Sequence, residues 1–126
     1  MKTPRALAAL AYAALLLCGC ATRLVDRNAP KVVENNEIAP YATYQECLLL
    51  EQGERLDFRF ESSEPLHFDL RYRDAGATVL PLVRDGTREF ASIYPVPATR
   101  AYCLAWEAGA AGARLDYRFT VHPATP

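Results

Sequence analysis

From residue 56 onward apolar and polar residues take turns along the chain, and this two-residue period is what most limits the folds open to it. Leu56, Phe58 and Phe60 alternate with Asp57, Arg59 and Glu61. Leu66, Phe68, Leu70 and Tyr72 alternate with His67, Asp69, Arg71 and Arg73, and Leu115, Tyr117, Phe119 and Val121 with Asp116, Arg118 and Thr120. Successive side chains of an extended strand point to opposite faces, so each run is a strand with one buried and one wet face. A helix would scatter the same apolar residues around its axis. Turn formers punctuate the runs at Gln52-Gly53, Ser62-Ser63-Glu64-Pro65, Asp74-Ala75-Gly76, Asp85-Gly86, Pro95 with Pro97, and Gly109 with Gly112. They mark out seven strands near residues 42–51, 54–62, 65–73, 77–84, 87–94, 99–108 and 113–122. The expected fold is all-β, a single seven-stranded antiparallel β-sandwich over residues 41–123.

The start of the chain reads differently. Lys2 and Arg5 precede an apolar run over residues 6–17, the layout of a secretory signal. Leu17-Cys18-Gly19-Cys20 closes the run and resembles a lipobox, the cleavage and acylation signal of bacterial lipoproteins, with Leu at −3, Gly at −1 and Cys20 as the residue to be acylated. Cys18 at −2 departs from the usual Ala or Ser. The apolar stretch of about 15 residues falls short of the roughly 20 that cross a bilayer. The resemblance therefore implies a signal peptide over residues 1–19 and a mature chain anchored to a membrane through lipid on Cys20 without spanning it. Several acyl chains on one cysteine hold firmly, since each buried methylene contributes about 0.8 kcal/mol. Ala21 in place of Asp after the lipid cysteine resembles the signal for the outer membrane, so the expected location is that membrane, facing the periplasm. The alternative is an ordinary signal cut near Gly19 and Ala21, which would release a soluble protein.

Residues 20–40 contain Asn28, Pro30, Asn35, Asn36 and Pro40 and no sustained period. They are expected to form a flexible tether with a root-mean-square reach of about 25 Å. A short helix or an added edge strand at residues 31–37 is the alternative.

Of 14 basic and 15 acidic residues, Lys2 and Arg5 leave with the signal, so the mature chain holds 12 against 15. A net charge of −3 argues against a nucleic-acid partner, which would require a basic stripe, and against electrostatic capture by acidic lipid heads. Four cysteines sort themselves in the same way: Cys18 departs, Cys20 takes lipid, and Cys47 and Cys103 remain as a pair. An even remainder in an exported chain reads as a disulfide. No Cys-x-x-Cys and no His at ligand spacing supports a redox or metal site beside either cysteine.

The stretch Glu46-Cys47-Leu48-Leu49-Leu50-Glu51-Gln52-Gly53-Glu54-Arg55-Leu56-Asp57-Phe58-Arg59-Phe60, the run Pro65-Leu66-His67-Phe68-Asp69-Leu70, and Tyr102-Cys103-Leu104-Ala105-Trp106 with Leu115-Asp116-Tyr117-Arg118-Phe119 resemble the GOLD domain of p24-type trafficking proteins. The resemblance covers residues 44–122. It implies a compact β-sandwich that acts as an interaction module, with an early cysteine bridged to one in a late strand.

No Gly-x-Ser-x-Gly, phosphate loop, zinc-protease His pair or dinucleotide fingerprint occurs in the mature chain, so neither an enzyme nor a cofactor is expected. His67 and His122 fall at outward strand positions and are read as solvated, not as metal ligands. Arg71, Arg73 and Arg118 are candidates for an anion-recognising patch, with interleaved acids working against them. Tyr94 lies in the stiff apolar stretch Ile93-Tyr94-Pro95-Val96-Pro97, suited to recognition or to plugging the end of the fold. Trp106, beside Cys103, reads as core or as a stacking platform for a sugar ring. Together these features point to a lipid-anchored binding or scaffold module for an envelope protein. The alternative is a carbohydrate- or peptidoglycan-recognition domain that uses exposed Trp106, Tyr94 and Tyr44.

Overall fold

Alternation becomes architecture in six antiparallel strands: β1 (Lys31–Ile38), β2 (Thr43–Leu50), β3 (Arg55–Asp74), β4 (Ala77–Pro95), β5 (Arg100–Ala108) and β6 (Ala113–His122). The computed structural model describes residue 27 and residues 29–125. The expected signal peptide and Cys20 lie outside the described residues, among which there is no helix.

All six strands belong to one curled sheet, and the long hairpin of β3 and β4 makes it curl. The first half of β3 pairs with β6, from Arg55 opposite His122 to Ser62 opposite Leu115. Its second half pairs with β5, from Leu66 opposite Ala108 to Arg71 opposite Cys103. β4 follows β3 along its other side throughout, from Asp74 opposite Ala77 to Arg55 opposite Pro95, with register shifts between Glu61 and Leu66. β1 then adds to β6, and β2 to β5. The result is two wings joined through the bent hairpin. The first holds β1, β6 and the early half of β3; the second holds β2, β5 and its late half.

Seven expected strands become six for a definite reason. The breaks expected at residues 62–65 and 85–86 are bends inside continuous strands, because the β3–β4 ladder resumes on both sides of them. Part of the expected tether is also strand: β1 occupies residues 31–38, with a bulge between Val33 and Asn36. Asn35 sits there at φ 56°, its N–H donating to Asp116 Oδ1 at 2.7 Å. A bulge inserts an unpaired residue and breaks the alternation, which hides such a strand from a period-based reading.

The inner faces of the wings meet over a core of rings. Phe60 packs on Phe68 with centroids 4.9 Å apart, Trp106 on Tyr117 at 4.7 Å, and Phe60 against Trp106 edge-on at 5.9 Å. Trp106 is 1% exposed and its indole N–H has no hydrogen-bond partner among the described residues. An unmade bond costs about 1–3 kcal/mol. Burying 150–250 Å² of ring contributes about 4–6 kcal/mol, so packing wins. Where the free edges of β1 and β2 approach, Lys31 pairs with Glu46 and lies over the Phe119 ring, and the Tyr44 and Tyr117 hydroxyls share a hydrogen bond at 2.8 Å. Burial first, then that bond, pushes the Tyr117 phenol far above its ordinary pKa.

Cys47 and Cys103 are bonded, directly opposite one another on β2 and β5 with Cα atoms 4.0 Å apart. The bridge closes a sequence separation of 56 residues within the second wing. On the loop-entropy model it restricts the unfolded chain by about 4 kcal/mol.

Candidate functional site

Connections fall at two ends of the molecule. At one, the loops after β2 and β4 are stitched by Gly53 N–H to Val96 O at 2.9 Å and Val96 N–H to Glu54 O at 2.8 Å, with Ala124 of the C-terminal tail packed on Gly53. Val96 is buried, so the proline-stiffened stretch folds down to plug this end. Arg27 also docks here: its Nη2 donates to Glu54 Oε1 at 2.8 Å and its Nε to Oε2. Glu54 is 2% exposed and also accepts the Glu51 N–H. Burial acts to raise the Glu54 pKa, but the Arg27 fork and the Glu51 N–H outweigh it and hold the carboxyl below its ordinary value.

At the other end, the β1–β2 and β5–β6 turns are joined by Tyr41 N–H to Gly109 O at 3.1 Å and Ala108 N–H to Ala42 O at 3.0 Å. Gly112 holds φ +67° there, and a Cβ on it would lie 2.8 Å from Ile38 O, so only glycine fits. Tyr41 projects from this end at φ 61°, 73% exposed.

The five residues singled out from sequence are not brought together. Trp106 is core. Tyr94 is half-buried with its ring 5.8 Å from that of Tyr102, and burial, with Tyr102 and Tyr72 beside it, pushes its phenol pKa up. Arg71 is locked on Asp69, Nε to Oδ1 at 2.6 Å and Nη2 to Oδ2 at 2.7 Å. Arg73 donates to Gly76 O at the β3–β4 turn. Arg118 lies on the outer face of the opposite wing, so the anticipated patch of Arg71, Arg73 and Arg118 does not exist. Alternation placed all three outward correctly, but the bend in β3 puts 71 and 73 on one wing and 118 on the other.

What Arg118 faces is Arg59, directly opposite on β3. One register step away, Glu61 lies opposite Asp116 on one side and Glu89 on the other. Val32 is opposite Arg118 and Ala91 opposite Arg59, so a basic pair on β6 and β3 runs beside an acidic row on β6, β3 and β4. Arg59 reaches Glu61 at 3.1 Å, while Arg118 has no carboxylate within ion-pair distance among the described residues. Three shallow open concavities share both arginines: one of about 220 Å³ reaching Val32 and Asp116, one of about 260 Å³ reaching Pro30 and Thr120, and one of about 470 Å³ reaching Asp57 and Glu89. Alternation put Arg59 on an outward face, but its facing of Arg118, and the place of Glu89 beside Glu61, escaped sequence reasoning because only the register reveals neighbours.

His67 lies between Asp69 at 3.2 Å and Asp85 at 3.4 Å, and His122 contacts Asp57 at 3.2 Å. Among the described residues no three His, Cys, Asp or Glu side chains are grouped to hold a metal.

No protein-family model matches the chain, and no curated protein matches it. Among solved structures it is similar to Aeromonas hydrophila PliG, a periplasmic lysozyme inhibitor of g-type lysozyme, with a TM-score of 0.60 and 14% identity, covering 79% of this chain and 94% of the inhibitor. A structure described as "CBM4 structure and function" matches with a TM-score of 0.47 and 16% identity, covering 78% of this chain and 73% of that one. At such identity the first likeness shows the fold, and the second carries no argument.

Proposed function

We propose that the chain is a lipid-anchored, periplasm-facing module of the bacterial cell envelope that uses a sandwich-type scaffold to bind another protein and performs no chemistry itself. The observation that carries this reading is the facing pair of arginines on β6 and β3 beside the row of acids on β6, β3 and β4, all on the outer face. Directly opposed like charges destabilise a sheet. Sequences keep such local costs at functional surfaces, where a partner with the complementary pattern relieves them. Shallow concavities suit the side chains of a protein partner better than an engulfed small molecule.

Similarity to an inhibitor of g-type lysozyme supports a protein partner in the same compartment and names the first candidate to test. The reading of an interaction module also agrees with what the GOLD-like pattern implies. The carbohydrate reading loses its contact surface, since Trp106 is buried and Tyr44 and Tyr94 are packed against the core.

The test has two parts. Residues 21–126 are titrated against g-type lysozyme, reading inhibition and heat of binding. The acylated protein is recovered from detergent-solubilised envelopes, native and as Arg118→Glu. A partner that binds the native protein and is lost with Arg118→Glu supports the reading; nothing above background in either part overturns it.

A further inference from the structure

We propose that the Arg27–Glu54 ion pair fixes which end of the molecule lies against the membrane: the end bearing the residue 51–54, 74–77 and 95–99 connections faces the lipid surface, and the Tyr41 end faces away. This rests on the reading of Cys20 as the lipid site. It goes beyond that reading, because a lipid on a free tether would leave the domain to tumble.

Lengths decide the matter. From Cys20 to Arg27 is seven residues, which reach at most about 25 Å when fully extended. β6, ten residues long, runs the length of its wing, about 33 Å from end to end. A chain leaving at Arg27 is therefore too short to pass along the side of the body and let the Tyr41 end touch the bilayer. If the ion pair opened, the next fixed point would be Lys31 at the start of β1. Eleven residues reach about 38 Å, and the restriction would vanish. The docking of Arg27, part-buried against Glu54 and 4.0 Å from Glu51, thus separates an oriented domain from a free one.

Much of the end so placed is uncharged: Ala75 and Gly76 make its hairpin turn, Pro97, Ala98 and Thr99 its second loop, and Pro123 and Ala124 the adjoining tail, beside the exposed carboxylates of Glu51 and Asp74. The acidic row of Glu61, Asp116 and Glu89 lies on the side of the body, clear of the anionic surface that would repel it.

The experiment uses the acylated protein in phosphatidylcholine–phosphatidylethanolamine vesicles that carry a nitroxide on the headgroup. A fluorophore is attached to Ala77→Cys at one end or Ala110→Cys at the other, both exposed positions. Quenching several-fold stronger at 77 than at 110 is expected. The gap should collapse both in Arg27→Ala and in a chain lengthened by eight Gly and Ser residues before Arg27. The second change leaves the ion pair intact and so cannot act through misfolding. Equal quenching at the two positions overturns the inference, as does a gap that survives both changes. Protein whose mass shows no acyl chains on Cys20 overturns the lipoprotein reading as well. Acylated protein without a gap overturns the orientation alone.

Discussion

On the outer face of the second wing charges are answered within their own strand. Arg71 forks onto Asp69, which is 2% exposed though it points outward, and His67 closes over it from the other side. Ala105 is the register neighbour of Asp69 and leaves room for that roof. The first wing has the same alternation, yet its arginines face each other and its acids stand in a row. One pattern thus yields a self-satisfied surface in one place and, in another, one where Arg59 pairs with Glu61 but Arg118 and Glu89 have no ion pair among the described residues. The difference marks the first wing as the side left for a partner, and the second as the side that holds itself together.

The strongest way to break this contrast is to remove the disulfide of the second wing. Cys47→Ala with Cys103→Ala should cost about 4 kcal/mol, read as a lowered midpoint in urea. A loss below about 1 kcal/mol would mean that the wing does not depend on its bridge. Next comes Arg71→Ala, which strips Asp69 of its fork; with Arg71 partly solvated, about 2 kcal/mol is expected by the same measurement.

Arg27→Ala should cost about 1–2 kcal/mol at neutral pH, and its pH dependence has a defined sign. The Glu54 carboxyl is held below its ordinary value in the folded chain, so its contribution is present above the usual carboxylate range and is lost as pH falls through the lowered value. Native and Arg27→Ala proteins should therefore differ in melting temperature at pH 7 and converge only in acid, once the pH has fallen below the lowered Glu54 value. A difference that persists there would show that Arg27 acts through packing alone.

The smallest change has the opposite sign. Glu89→Lys sets a cation opposite Glu61 and should stabilise the first wing by about 0.2–1 kcal/mol while weakening partner binding. A variant that is destabilised, or that binds as before, would remove the case for this face.

Much of the fold was legible because burial on one side of a strand writes itself into every second residue. Leu56, Phe58 and Phe60 point inward as expected, and so do Leu115, Tyr117 and Phe119. Cysteine counting found the bridge. Two features escaped, both because they depend on distant partners. Ser62-Ser63-Glu64-Pro65 carries the same local signal whether the chain reverses or merely bends, and only the ladder with β4 decides. The facing of Arg59 and Arg118 is a matter of register between strands separated by half the sequence, which no local pattern encodes. The ion pair of Arg27 with Glu54 left no signal either, since an arginine in an aperiodic segment gives no hint of its acceptor.

The long hairpin has a last consequence, for how the molecule fails. β3 and β4, 20 and 19 residues long, each thread both wings. Neither wing owns a complete set of neighbours, so heat or denaturant cannot peel one away and leave the other standing. Melting should be a single event seen alike by Trp106 fluorescence and by backbone dichroism, and proteases should find no stable half-molecule to release.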